Sequence, residues 1–316
     1  MKTMTMKKRK ITAVSVLALA LLFGALFGGS AEAAVGRTIV DHMGRSVEIP
    51  ATPRNILALN PNMMEFLYIL GYSPVGKVEE YELRAEGAAL PSVGRQNTVN
   101  VEAVYGLKPD LIFGNVGHIA PIMGVLEQTG AAVVALDAKR NEDALLGVLY
   151  VMAEALGKES AAAEYKTLFD SVVEESARRV REKHPDVRSV LILQGGVESV
   201  LAFMPGNFHS DLVARLGLRN IVPTDFSRAS KEVPSAIVFD LETIVAADPD
   251  VIFIRTAGKE SASTLQRLKN DPAWKGLKAV REKRVVNMSG KINPGRIELH
   301  EAVRWLADQL CSDGTK

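Results

Sequence analysis

The sequence predicts an α/β fold of two similar lobes, each with a mainly parallel central sheet, joined by one long connecting helix with a ligand cleft between them. Three observations predict it. Residues 99–113 (VNVEAVYGLKPDLIF) and 239–253 (FDLETIVAADPDVIF) read as one segment written twice, 140 residues apart, with Glu102/Glu242, Pro109/Pro249, Asp110/Asp250, Ile112/Ile252 and Phe113/Phe253 identical. That spacing exceeds a solenoid period and indicates two lobes, and clefts between lobes hold ligands. Strand-like and helix-like stretches alternate along the chain, the pattern of a parallel α/β sheet. The run from Ser160 to Lys183 is rich in Ala, Glu, Lys and Arg and free of Gly and Pro. As a helix it spans roughly 35 Å and reads as a rigid connector. The expected organisation is a leader at 1–33, a first lobe at 34–158, the connecting helix at 159–184 and a second lobe at 185–316.

The leader is read from Lys2, Lys7, Lys8, Arg9 and Lys10, an apolar run from Ile11 to Gly29, and Ala31-Glu32-Ala33. A basic start, an apolar middle and an A-x-A end describe a secretory signal peptide. Cleavage is expected after Ala33 or Ala34; the rival is an uncleaved anchor, since the run approaches the length of a membrane span. Removing 1–33 takes Lys plus Arg from 38 to 33 and Asp plus Glu from 37 to 36, leaving a net charge of −3. A mildly acidic protein has no general attraction to nucleic acid or anionic membranes. The single cysteine, Cys311, excludes an intrachain disulfide or a cysteine metal cluster. With no cysteine beside the cleavage site, the expectation is a monomeric periplasmic protein without a lipid anchor.

The elements follow in chain order. Residues 37–49 alternate apolar and polar around Met43-Gly44-Arg45, a hairpin signal. Ile56–Leu59 is a buried strand, Asn60-Pro61 a turn, and Asn62 the expected cap of a helix that runs to Leu70 and stops at Gly71. Val75–Val78 reads as a strand, 81–90 as a loop with a short helix, and Val93-Gly94 as a short strand. In each repeat copy a helix ends at Pro-Asp, which breaks it and sets a turn. The apolar run that follows suits a strand buried on both faces. Residues 120–129 read as a helix, 132–136 as a strand and 141–156 as a helix, with His184-Pro185 closing the connector. In the second lobe, 189–193 and 200–203 are strands. Ser210 is the expected cap of a helix over 211–216 that Gly217 ends, 265–269 is helical, 270–274 a turn, 284–288 a strand and 298–310 the last helix.

Six stretches together resemble a known family: DHMGRSVEIPATPRNIL (41–57), LGYSPVGKV (70–78), VNVEAVYGLKPDLIF (99–113), FHSDLVARLGLRNIV (208–222), DLETIVAADPDVIFI (240–254) and NDPAWKGLKAVREKRVVNM (270–288). In that order and spacing the chain is similar to the helical-backbone, class III substrate-binding proteins that feed ABC importers for ferric siderophores, haem and cobalamin. The resemblance implies no catalysis and no resident cofactor. It implies little hinge motion, delivery of ligand to an inner-membrane permease, and a glutamate on each lobe that docks there. Glu86 in the first lobe and Glu232 or Glu242 in the second are the docking candidates. Glu102 and Glu242 also occupy helix starts, where the dipole favours an acid. The ligand expected is a ferric siderophore, with haem as the alternative and cobalamin or a metal oxyanion behind it. Haem-binding members commonly supply Tyr, His or Met to the iron, which makes Tyr81 and His209 the candidates under that alternative.

Ligands of open parallel sheets lie beyond the carboxyl ends of the strands. That rule selects Asn60, Met63, Tyr81, Arg84, Arg95, Gln96, Asn115 and His118 in the first lobe. In the second it selects Gln194, Met204, His209, Arg228 and Arg255, with Lys291 and Arg296 beyond. Arg84, Arg95, Arg228 and Arg255 matter most, because a guanidinium offers a fixed fork of donors to anionic oxygens. Each arginine either lines the cleft or pairs with a nearby acid such as Glu82, Glu86 or Glu232. Arg255 stands out because it directly follows a buried strand, where a charge needs a reason. Tyr81 either contacts ligand or packs. The sequence contains no G-x-S-x-G elbow, P-loop or H-E-x-x-H helix, so no enzyme is predicted. A ligand-reporting module for a membrane sensor would share the fold.

Overall fold

Two parallel strand–helix–strand units of one plan carry the architecture of the computed structural model, which describes residues 36–137, 144–195, 200–231, 233, 235–238, 240–255, 266, 270–288, 290, 292–293 and 295–312. Residues Arg37–Lys316 form one compact unit, distinct from Met1–Gly36. The expected leader, the helix at 265–269 (save Gln266) and residues 141–143 of the expected helix at 141–156 lie outside the described residues.

The chain opens with the antiparallel hairpin β1 (Arg37–Val40) and β2 (Ser46–Ile49), turning at Gly44 with φ +78°. Strand β3 (Ile56–Ala58) leads into α1 (Pro61–Ile69). The cap of α1 is Asn60, not Asn62: its Oδ1 accepts from the Asn62 and Met63 amides, and Pro61 at the first helical position needs no hydrogen-bond partner. Residues 75–78 form no strand and make only a single bridge, Lys77 to Ser92. Then come α2 (Ala85–Ala88), the small hairpin β4 (Gly94–Arg95) and β5 (Thr98–Val99), α3 (Val101–Leu107) and β6 (Leu111–Asn115). The expected helix at 120–129 starts earlier and is broken, as α4 (Val116–Ile119), a 3₁₀ turn at Ala120–Ile122 and α5 (Met123–Glu127). Pro121, within that turn, cannot donate to a continuous helix. Strand β7 (Ala132–Leu136) completes a parallel sheet of order β3-β6-β7.

After α6 (Ala144–Leu156), Gly157 turns at φ +65° into α7 (Glu159–Lys183). Its buried residues Ala162, Tyr165, Phe169, Val172, Ser176 and Val180 recur every three or four positions and, with Ala177 beside Ser176, line one face. That face packs on α1 and α6 of the first lobe and on the last helix of the second.

The second lobe contains β8 (Ser189–Gly195), β9 (Val200–Phe203), α8 (Phe208–Arg215), β10 (Arg219–Asn220), a 3₁₀ turn at Phe226–Arg228, β11 (Ala236–Val238), α9 (Leu241–Ala247), β12 (Val251–Arg255), α10 (Pro272–Lys275), α11 (Lys278–Arg281), β13 (Val285–Asn287) and α12 (Leu299–Cys311). The cap of α8 is Asn207 rather than Ser210, and the turn expected at 270–274 contains the helix α10. The sheet runs β11-β9-β8-β12-β13, with β10 sharing the β8 edge. Its β8, β10, β12 and β13 pairings are parallel; the β9 and β11 pairings are antiparallel.

The two repeat copies match element by element. Asn100 caps α3 through the Ala103 amide, and Asp240 caps α9 through the Thr243 amide. Both helices end on a left-handed residue before proline, Lys108 (φ 48°) and Asp248 (φ 36°). The Asp110 carboxylate accepts from the Arg54 and Asn55 amides, and Asp250 from those of Arg188 and Ser189. The strands behind them, β6 and β12, are each flanked by two parallel neighbours. Alternate residues of β8 and β12 serve opposite faces, as a pleat requires. Val190, Ile192, Val251 and Phe253 join a large core continuous with the first lobe; Leu191, Leu193, Ile252 and Ile254 join a smaller one.

Candidate functional site

The equivalence of β6 and β12 puts Asn115 and Arg255, 140 residues apart, at matching strand ends. Arg255 ends β12 opposite Gln194 on β8. Its Nη1 donates to Gln194 Oε1 at 2.8 Å and its Nη2 to Asn293 Oδ1 at 3.2 Å. Its Nε is buried and makes no hydrogen bond among the described residues. The guanidinium therefore rests on two neutral amides, with no described carboxylate paired to it. Burial draws its pKa down.

His209 stands beside it on α8, stacked on Phe203 and edge-on to Phe208, with ring centroids 5.5 and 5.3 Å away. Its Nε2 lies 3.0 Å from the Ile292 carbonyl, so Nε2 carries the proton. Burial, then the Arg255 charge, pushes its pKa down to about 4. The imidazole is therefore neutral, buried between Phe203 and Phe208, and committed at Nε2 to the main chain.

In the first lobe the end of β3 carries Asn60, whose Nδ2 donates to Gln96 Oε1 at 3.0 Å. The Gln96 amide donates to Glu80 Oε2 at 3.2 Å, and Glu80 Oε1 lies 3.3 Å from Arg95 Nε. Asn115 lies one strand over, its Oδ1 accepting from the Gly117 amide, and half-buried His118 follows on α4.

The residues after β13 bring the two groups together. Ile292 and Asn293 hold His209 and Arg255. Two positions on, Gly295 lies against Pro61, Glu80 and Tyr81 of the first lobe, and its carbonyl accepts from the Glu82 amide at 2.8 Å. Asn60, Gln96 and Arg95 on one lobe and Arg255, Gln194 and His209 on the other are thus linked through Glu80, Gly295 and Asn293. Sequence reasoning missed both go-betweens. Glu80 was hidden in an acidic loop, and Asn293 lay in a stretch read only for Lys291 and Arg296.

Other candidates are placed differently. Tyr81 is fully buried; its hydroxyl donates to Glu65 Oε2 at 2.7 Å, and burial raises its pKa strongly. It packs instead of facing ligand. Arg84 is spent on Glu65, with its Nε 3.0 Å from both carboxylate oxygens, and on Glu298 at 3.6 Å; the Glu65 bonds raise its pKa. Arg296 pairs with Glu82 at 2.7 Å. Arg228 is exposed beside β11, at the sheet edge, and lends its charge to Asp225 and Asp240. The four arginines expected in one cleft therefore differ in their partners: Arg84 pairs with Glu65, Arg95 with Glu80, Arg228 lends its charge to Asp225 and Asp240, and Arg255 alone among the four has no described acid beside it. Glu86 and Glu242 are exposed in the first turns of α2 and α9. Glu232 and Lys291 lie outside the described residues.

The sequence profile of a family described as periplasmic binding protein matches residues 56–291. The Fe(3+)-citrate-binding protein YfmC of Bacillus subtilis (strain 168) is 24% identical over 263 residues, 81% of this chain and 79% of its own. The probable siderophore-binding lipoprotein YfiY of the same organism is 28% identical over 260 residues, 78% of each chain. Among solved structures, Staphylococcus aureus SirA complexed with staphyloferrin B aligns with a TM-score of 0.67 at 21% identity, covering 87% of this chain and 97% of its own.

Proposed function

This chain belongs to the periplasmic binding protein family, and from that premise we propose that it captures a ferric chelate bearing anionic oxygens and delivers it to the permease of an ABC importer. The observation that carries the reading is Arg255. A partly buried guanidinium held by Gln194 and Asn293, with no described acid beside it, is a fixed cation prepared for an outside anion. Burying an uncompensated charge is costly, and carboxylate or catecholate oxygens on a chelate complete it through charge-assisted bonds. The relatives named for ferric citrate and for siderophores agree in ligand chemistry.

Titration calorimetry with ferric citrate tests the reading. The unsubstituted chain is expected to bind, and Arg255→Ala to weaken binding about 10- to 100-fold, as for a hydrogen bond to a charged group. Equal affinity of Arg255→Ala, or a Soret band with haemin in place of any ferric citrate binding, would refute it.

For docking, the repeat-equivalent helices support a paired contact. Glu102 and Glu242 are both exposed, and one turn on Tyr105 and Val245 are exposed at 40% and 47%. Two like faces suit a partner built of two like subunits. Glu102→Lys combined with Glu242→Lys is expected to abolish uptake of the ferric chelate in cells while leaving ferric citrate affinity unchanged.

A further inference from the structure

The stretch after β13 does two jobs at once. Toward its own lobe, the Ile292 carbonyl and Asn293 Oδ1 fix His209 and Arg255. Toward the other lobe, Gly295 meets the Pro61 ring and main chain. A Cβ added to it would stand 2.5 Å from Pro61 Cβ and 3.2 Å from both the Glu80 carbonyl oxygen and Tyr81 Cα. The contact is bracketed by the Glu82 amide bond to the Gly295 carbonyl, by the Arg296–Glu82 pair at 2.7 Å and by the Arg84–Glu298 contact at 3.6 Å.

Nothing on the first-lobe side can yield. Pro61 Cβ belongs to a ring at the start of α1, and the other two neighbours are main chain. Tyr81 is fully buried with its hydroxyl on Glu65. Gly295 itself has φ +77°, a conformation glycine takes without steric cost.

We propose that Gly295 is a specificity-determining residue: its bare backbone is the spacer that sets the gap between Arg255 on one lobe and the Asn60–Gln96–Glu80 group on the other, and so the size of chelate that bridges them. Asn60 directly precedes Pro61, and Gln96 hydrogen-bonds to Glu80. The spacer therefore touches the first-lobe group on one side and, two residues away, the ligand of Arg255 on the other. Ordinary carbon–carbon contact needs about 3.5–4.0 Å, so a methyl group at 295 is expected to push the lobes apart by about 1 Å. The proposal rests on the ferric-chelate reading for its ligand but not for its geometry.

The test compares Gly295→Ala with Gly217→Ala in the full-length chain. Gly217 has nearly the same φ, +79°, but nothing within 4 Å of an added Cβ. Both substitutions therefore carry the same backbone strain, and only one meets the other lobe. Spin labels at Gln128→Cys and Val245→Cys, in a Cys311→Ser background, report the lobe separation; ferric citrate reports affinity. The expected result is a longer label separation and at least a tenfold weaker ferric citrate affinity for Gly295→Ala, with neither change for Gly217→Ala. Adding Pro61→Gly to Gly295→Ala removes the nearest atom and is expected to return both readouts toward the unsubstituted values, and to restore folding if Gly295→Ala alone does not melt cooperatively. An unchanged separation in Gly295→Ala, a longer separation with unchanged affinity, or no rescue by Pro61→Gly overturns the proposal. If the unsubstituted chain binds no ferric citrate, the ferric-chelate reading fails, and the label separation and its rescue still decide whether Gly295 is the spacer.

Discussion

His209 shows how a single buried group shapes stability. In the unfolded chain it titrates near 6.5; in the fold, burial and Arg255 push it down to about 4. The folded state thus refuses a proton that the unfolded state accepts. The stabilisation is complete above pH 6.5, falls away as pH drops from 6.5 to 4, and is absent below. At about 1.4 kcal/mol per unit, the span amounts to roughly 3 kcal/mol. Thermal melting between pH 7 and 4.5 is expected to show this slope in the unsubstituted chain and a shallower one in His209→Gln. An equal slope in the two would mean that other groups carry it. Asp250 works in the opposite sense of charge. Burial alone would raise its pKa, but bonds from Lys278, Arg188 and Ser189 bring it down to about 2, so its contribution is lost only in strong acid.

The repeated helix–turn–strand is the natural element at which to compare the lobes. Both copies keep an Asn or Asp cap, a left-handed residue before proline and an aspartate that stitches the turn to the neighbouring strand. The residue before proline is barred from continuing the helix, and a left-handed non-glycine residue carries about 1 kcal/mol of strain or more. Lys108→Gly relieves that strain but loosens the unfolded chain, so a net gain of roughly 0.5 kcal/mol is expected in urea unfolding. A loss of stability would show that the Lys108 side chain matters more than its backbone. Removing either cap, by Asn100→Ala or Asp240→Ala, is expected to cost about 1 kcal/mol.

Over the whole molecule, one apolar cluster passes from the first sheet through α7 to the inner face of the second. Lobes that share a core unfold together, so a single cooperative transition with coincident fluorescence and circular dichroism is expected. Two separated transitions would contradict the shared core. Where Arg84 meets Glu65 and Glu298, a partly buried ion cluster adds to the seam. Glu65→Gln leaves Arg84 with weaker compensation and frees the Tyr81 hydroxyl from a charged acceptor. A loss of about 1–2 kcal/mol is expected, as for a weakened hydrogen bond to a charged group.

The alternation of strands and helices, the duplication and the uninterrupted connector were legible along the chain, because each rests on local chemistry: apolar periodicity, proline, glycine and helix propensity. The same local rules named Asn60 and Arg255 as strand-end residues. They misassigned the caps at Asn62 and Ser210, where the structure uses Asn60 and Asn207, since two nearby polar residues differ only in backbone geometry. They also took four arginines for one charged cleft. Which cation stays without an acid depends on contacts 19 and 214 residues apart, such as Glu65–Arg84 and Glu82–Arg296, and only folding creates those. By itself the sequence determined an α/β protein of two like lobes with charged groups at its strand ends. The tertiary structure decided that Tyr81 and Arg84 serve the core, that Arg255 faces its lobe's neutral amides, and that Gly295 touches the other lobe, because desolvation and close approach exist only once distant segments meet.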